Sequence, residues 1–85
     1  MTARRVVPLS GKYSATIGDG STNPIAITQA THKLATNAQM LVALYEVSSG
    51  DRVEPDVNIS NSNGTVTITF GTIPTLNQYR VVILG

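Results

Sequence analysis

The 85-residue sequence contains no cysteine and no tryptophan, and it has a single phenylalanine and a single histidine. Without cysteine, disulfides, thiolate catalysis and cysteine-ligated metals are excluded. Charged residues make up only 13% of the chain, about half of the usual share. The formal net charge of +1 provides no strong field that would attract nucleic acid or an anionic membrane.

Long apolar segments are also missing from the sequence. The longest apolar run, residues 40–45, is far shorter than the ~20 residues that a membrane-spanning helix needs. The charged N-terminal residues are not followed by the apolar core of a signal peptide. We therefore expect no membrane or targeting segment, and a chain that stays in a cytoplasm or on a particle released from one.

Small polar residues are abundant instead, since threonine, serine and asparagine together account for 24 of the 85 residues. Threonine fits a pleated sheet, whereas serine and asparagine favour turns and caps, so this composition indicates strands and turns. Apolar residues form 41% of the chain, which is too many for a disordered tail. The length allows one domain only.

Glycine, proline and asparagine divide the chain into strand-like segments. These segments are 12–17, 24–29, 40–47, 52–60, 65–70 and 79–84. Short turns join the last three, which predicts antiparallel pairing between them. Residues 30–39 fit either a loop or about two turns of helix. We predict an all-β fold, a small antiparallel sandwich or barrel of about six strands spanning residues 12–85, with an extended N-terminal arm, residues 1–11.

The apolar pattern predicts which side chains are buried. Segment 65–70 alternates strictly, which predicts that Val66, Ile68 and Phe70 point inward and the threonines between them outward. Pro55 lacks an N–H, which predicts an edge or a bulge in its strand.

Two segments, 40–47 and 79–84, are apolar on both faces, although a single sandwich has only one interior. The second apolar face predicts a further covered surface, most simply another subunit. Val82 and Leu84 are therefore candidate subunit-interface residues.

No residue pattern predicts catalysis, a cofactor or a metal site. His32 lacks a recognisable nucleophile motif around it, so it fits a turn or cap role. Residues 18–21 lack the lysine of a phosphate loop and the acidic ligands of a calcium loop, so they fit a plain turn. Asp51, Glu54 and Asp56 have the chemistry to share a cation but fit a solvated strand edge better.

The N-terminal arm combines a basic pair with apolar residues, and it is our candidate for partner binding. Its proposed contact residues are Arg4, Arg5, Val6, Val7 and Leu9. An extended apolar segment needs a surface to cover it, so the arm either adds a strand to its own sheet or lies on a neighbouring molecule.

The order of motifs resembles a small β-sandwich module of tailed-bacteriophage virion proteins, found in head decoration proteins and in the C-terminal modules of tail fibres. The resemblance spans about residues 14–85. Its opening matches Ile17-Gly18-Asp19-Gly20-Ser21 followed by Thr31-His32-Lys33-Leu34, its centre matches Val42–Glu46 and Val53–Val57, and its close matches Thr65–Phe70 and Tyr79–Ile83. The sequence departs from the module around residues 29–39, where Ala35-Thr36-Asn37 stands in place of its usual glycine-containing turn.

The resemblance implies a structural role in a virion assembled in the host cytoplasm. A short chain with little beyond the module fits a capsid decoration or cement protein, a non-enzymatic homo-oligomer, with a trimer favoured, that binds the major capsid protein. The alternative is the receptor-binding tip of a tail fibre or spike. That alternative needs exposed tyrosines for stacking on sugars, whereas of Tyr13, Tyr45 and Tyr79 the last two fit the core.

Overall fold

The computed structural model of the chain describes residues 11–34, 36 and 39–85. The arm, residues 1–11, therefore lies outside the described part of the chain except for Gly11. The elements in chain order are β1 (Lys12–Ile17), β2 (Ile25–Ile27), α1 (Gln29–His32), β3 (Leu41–Glu46), β4 (Arg52–Val53), β5 (Asp56–Ile59), β6 (Val66–Thr69) and β7 (Tyr79–Leu84).

The strands form two antiparallel sheets, which confirms the predicted all-β fold and selects the sandwich from the predicted sandwich or barrel. One sheet has the order β1-β7-β3-β4 and the other has the order β2-β6-β5. Seven strands replace the expected six because the predicted strand 52–60 is divided at Glu54-Pro55. β4 and β5 lie at the edges of different sheets, so Pro55 marks the point where the chain changes sheet, as its missing N–H allows.

The prediction that the last three strands are antiparallel neighbours is only partly right. β5 and β6 form a hairpin across residues 60–65, closed by bonds between Ser60 and Thr65 and between Gly64 and Ser60. β7 does not continue this sheet, since it pairs with β1 and β3 instead. The segment between β6 and β7 is long enough to cross from one sheet to the other, whereas a tight turn would have forced pairing.

Residues 30–39, predicted as either a loop or about two turns of helix, contain a single helical turn among their described positions, as part of α1. α1 ends at Lys33, which adopts the left-handed conformation with φ of 58°. The predicted strand 24–29 is correspondingly shorter, because Thr28 already caps the helix. No helix in the described part of the chain has the length and hydropathy required to span a bilayer.

The core lies between the two sheets. Val66 and Ile68 from one sheet and Val81 and Ile83 from the other are completely buried. Phe70 is buried as predicted, and its ring stacks on that of Tyr79 with centroids 4.6 Å apart. The predicted alternation along segment 65–70 is confirmed.

Candidate functional site

The side of the four-stranded sheet that faces away from the core is the candidate functional site, and we call it the outer face. Side chains alternate along each strand, so every second residue points to this side. Ten residues form it: Lys12, Ser14 and Thr16 of β1, Arg80, Val82 and Leu84 of β7, Leu41, Ala43 and Tyr45 of β3, and Arg52 of β4.

Strand register arranges these side chains in three rows across the sheet. The first row is Lys12, Leu84 and Leu41, the second is Ser14, Val82 and Ala43, and the third is Thr16, Arg80, Tyr45 and Arg52. Directly opposed side chains in such rows have Cβ atoms about 4.5–5.5 Å apart. The first two rows are therefore mainly apolar, and the third is cationic and aromatic.

The apolar rows are open to solvent. Leu41 is 71% exposed and Leu84 is 38% exposed, although both belong to regular strands. Together with Ala43, Tyr45 and Val82 they line a shallow depression of about 290 Å³. Exposed apolar surface bordered by polar groups is typical of a protein contact surface.

The charges on the outer face are all positive. Lys12, Arg52 and Arg80 are three of the four lysines and arginines among the described residues, and none of the ten outer-face positions is acidic. Arg80 donates from Nη1 to Ser14 Oγ at 3.3 Å, but neither arginine forms an ion pair with any described residue. Asp51 and Glu54, which flank β4 and are the acids nearest to Arg52 in sequence, make no ion pair with it.

The N-terminal arm joins the domain beside the apolar end of the outer face. Gly85 donates its backbone N–H to Gly11 O at 3.1 Å, and the next pair along the sheet is Lys12 opposite Leu84. The chain thus enters β1 next to the row that contains Leu41. The predicted arm residues Arg4, Arg5, Val6, Val7 and Leu9 lie outside the described residues.

The structure brings Val82 and Leu84, the predicted interface residues, together on the outer face. The prediction for the tyrosines is wrong in one respect, because Tyr45 lies on the outer face and not in the core. Tyr79 does contact the core, as predicted, and Tyr13 contacts it too. Tyr45 is therefore the one tyrosine available on this surface.

His32 has a structural role, as its sequence context indicated. It is 3% exposed, and its Nδ1 accepts a hydrogen bond from the Leu34 N–H at 3.0 Å. Because Nδ1 is the acceptor, Nε2 carries the proton and donates to Gly64 O at 2.7 Å. The ring ties α1 to the β5–β6 turn and leaves no nitrogen free for catalysis or metal binding.

Asp19 stabilises the turn that the sequence predicts at residues 18–21. Its carboxylate accepts from the Thr22 hydroxyl at 2.6 Å and from the backbone N–H groups of Ser21 and Thr22 at 2.9 and 2.7 Å. These hydrogen bonds, that from the Thr22 hydroxyl foremost, lower the pKa of Asp19 from 3.8 to about 2. Gly18 beside it has φ of 115°, and a Cβ there would collide with the Thr75 carbonyl oxygen.

The acidic residues after β3 do not assemble into a cation site. Asp51, Glu54 and Asp56 are all described, and no group of three or more potential metal ligands occurs among the described residues. Asp51 lies in the β3–β4 turn, whereas Asp56 begins β5 in the other sheet. The change of sheet at Pro55 separates these carboxylates.

Sequence reasoning missed the cationic row of the outer face. The alternation of segments 40–47 and 79–84 had already placed Tyr45 and Arg80 on the same parity as Leu41 and Leu84. What the sequence did not provide is the register that sets Arg80 and Arg52 on either side of Tyr45. Register between non-neighbouring strands depends on the whole fold, so no local signal identifies this row.

Comparison of the chain with protein-family models, with curated proteins and with solved structures finds no match.

Proposed function

We propose that this chain is a structural protein of a tailed-phage virion, a decoration protein that binds the major capsid protein and stabilises the head shell. The observation that carries the proposal is the uncovered outer face, where exposed Leu41 and Leu84 lie in regular strands of a small domain. Such a face supports binding to another protein surface. The order of motifs along residues 14–85 supports the virion as the setting.

The proposed mechanism is binding without chemistry. A ligand that binds only the assembled shell stabilises it by mass action. Symmetry repeats each contact many times over the shell, so modest contacts add up to a large effect. The protein would join the shell in the host cytoplasm and remain on the released virion.

The N-terminal arm would extend this contact. Arg4 and Arg5 carry guanidinium groups that bind carboxylates bidentately, and Val6, Val7 and Leu9 supply apolar anchors. The sequence places them just before Gly11, and Gly11 lies at the apolar end of the outer face. Grouping of the chains into trimers on the shell stays a prediction.

The alternative, a receptor-binding tip of a tail fibre, has less support from the surface. Stacking on sugars favours several exposed aromatic rings, whereas Tyr45 is the one tyrosine on the outer face. Phe70 and Tyr79 stack on each other next to the core and are not available to a ligand.

Mass spectrometry of separated heads and tails tests the proposal. Virions of the phage that encodes the chain are purified and dissociated, and the chain is quantified in each fraction. We expect it in the heads, in a fixed ratio to the major capsid protein. Recovery with the tails would favour the tail-fibre alternative, and absence from both fractions would contradict a virion role.

A further inference from the structure

The arrangement of charge and apolar surface on the outer face specifies a partner chemistry. We propose that this face binds an acidic polypeptide strand. The strand has a carboxylate at one position and apolar side chains two and four residues further along. The inference rests on the proposed function for the identity of the partner, which would be the coat protein. The chemistry of the partner follows from the outer face alone.

The acidic position follows from the row Arg80, Tyr45 and Arg52. Tyr45 is directly opposite Arg80 on β7 and directly opposite Arg52 on β4, so the Cβ atoms of both arginines lie about 4.5–5.5 Å from that of Tyr45. The Arg52 guanidinium makes no hydrogen bond to any described residue, and the Arg80 guanidinium makes one, to Ser14 Oγ. Most of their donors are therefore free, and guanidinium donors match a carboxylate bidentately.

The apolar positions follow from the two rows beside it. Val82 and Ala43 form the next row, and Leu84 and Leu41 form the row after that. Consecutive rows lie two residues apart, which is about 6.6–6.8 Å along a strand. A partner strand running along β3 and β7 has its side chains at the same spacing. When its carboxylate lies at the arginine row, the side chains two and four residues further along lie over the two apolar rows.

A second copy of this chain bound through the same face does not fit the outer face. Such a contact would bring Lys12, Arg52 and Arg80 of both copies into one interface, with no acid at any of the ten positions of either face to compensate them. Like charges brought together at an interface oppose binding. The charges therefore oppose a contact of Val82 and Leu84 with the same face of a second copy, whereas their contact with another surface of a second copy stays a prediction.

Two other occupants fit the face less well than an acidic polypeptide. Residues 1–10 of the chain include Arg4 and Arg5 and no acidic residue, so they would add positive charge to a positive face. Nucleic acid offers phosphates to the arginines, but a phosphate backbone has no apolar groups for Leu41, Val82 and Leu84.

The test is an NMR titration of the full-length chain with two synthetic peptides. One peptide has glutamate, valine and leucine at alternate positions with threonine between them, and the other has lysine in place of glutamate. We expect saturable shifts of outer-face amides with the glutamate peptide, including Tyr45, Arg80 and Val82. The dissociation constant for the lysine peptide should be at least tenfold higher.

Charge-reversal variants locate the binding. Arg52→Glu, and as a second variant Arg80→Glu, should each raise the dissociation constant of the glutamate peptide at least tenfold. The matched control is Lys33→Glu, which makes the same charge reversal at an exposed position on α1's C-terminal cap, and it should change binding less than twofold. Amide spectra of each variant report that the domain remains folded.

Several outcomes overturn the inference. They are equal affinity for the two peptides, no saturable binding of the glutamate peptide at millimolar concentration, shifts outside the outer face, or insensitivity to both arginine reversals. Tighter binding of a DNA oligonucleotide at the same amides would assign the face to nucleic acid. Concentration-dependent shifts of the free chain would assign it to a second copy, and methyl contacts from Val6, Val7 or Leu9 would assign it to the arm.

The peptide titration tests the acidic partner and the virion measurement tests the proposed function, so either proposal can be contradicted without the other. Preference for the glutamate peptide in a chain absent from virion heads would contradict the proposed function and retain the acidic partner. Presence in the heads without such a preference would retain the proposed function and overturn the acidic partner.

Discussion

The side chain of Asn23 pairs with the backbone of Phe70 as a neighbouring strand would. Asn23 Nδ2 donates to Phe70 O at 2.7 Å, and the Phe70 N–H donates to Asn23 Oδ1 at 3.0 Å. In the β2–β6 register Ile25 is opposite Ile68. Asn23 and Phe70 each lie two residues beyond that pair, so the same register places them opposite each other. The amide therefore satisfies the backbone of Phe70 beyond the end of the regular ladder and holds a core residue in place.

Replacement of Asn23 should reduce stability through this pair. Asn23→Ala leaves the part-buried N–H and carbonyl of Phe70 without partners, which costs about 1–3 kcal/mol in free energy of unfolding. Asn23→Asp should be no better, because its carboxylate cannot donate to the carbonyl. Urea denaturation measures the loss, with Asn58→Ala at an exposed position of β5 as the control, expected within about 0.5 kcal/mol of wild type. A loss no larger than that of the control would contradict the pairing.

His32 should be held as the neutral tautomer with its proton on Nε2. Two-bond ¹⁵N–¹H correlation spectra identify this tautomer directly, and a proton on Nδ1 would contradict the hydrogen bonds to Leu34 and Gly64. His32→Ala should lower the free energy of unfolding by about 2–4 kcal/mol, because it opens a cavity and leaves both backbone groups unpaired. Thr31→Ala on the exposed side of α1 serves as the control.

Asp19 should make stability depend on pH in the acid range. Its pKa in the folded chain is lowered from 3.8 to about 2, so its ionised form favours folding. The contribution is fully present above pH ~3.8 and is lost as the pH falls through about 2. The stability difference between wild type and Asp19→Asn should therefore shrink over that range, beyond any change seen with Asp56→Asn. Carboxyl ¹³C titration checks the value, and a midpoint near 3.8 would show that the turn does not hold the carboxylate.

Deletion of residues 1–9 should separate folding from binding. Every described strand begins at or after Lys12, so the shortened chain should give the same amide spectrum in the domain as the full chain. Its binding to capsid shells should fall sharply, because Arg4, Arg5 and the apolar anchors are removed. Decoration at full occupancy would show that the β-domain makes the contact alone. Unfolding of the shortened chain would show that the arm is a strand of its own sheet.

Much of the sandwich is predictable from local patterns. The alternation of Val66, Ile68 and Phe70 fixed which face of β6 is buried, and Asn63-Gly64 marked the hairpin that precedes it. Pro55 indicated an edge strand, since a missing N–H has the same consequence in any fold. These features depend only on side-chain period and backbone chemistry.

Pairing between distant strands was not predictable in the same way. The segment after Phe70 crosses from one sheet to the other, and β7 then lies between β1 and β3. No residue pattern in that segment predicts the crossing. The candidate site depends on this pairing, since it is what aligns Arg80 with Tyr45 and Arg52. The apolar half of the outer face could therefore be predicted from the sequence, and its cationic half could not.

Cryo-electron microscopy of capsid shells incubated with the full-length chain tests the central claim most directly. The shells are assembled from the major capsid protein encoded by the same phage. The account predicts density for the chain on the shell, with the four-stranded sheet facing the coat and Leu41, Val82 and Leu84 at the contact. Shells without added density, or a chain bound through its three-stranded sheet with the outer face in solvent, would contradict it.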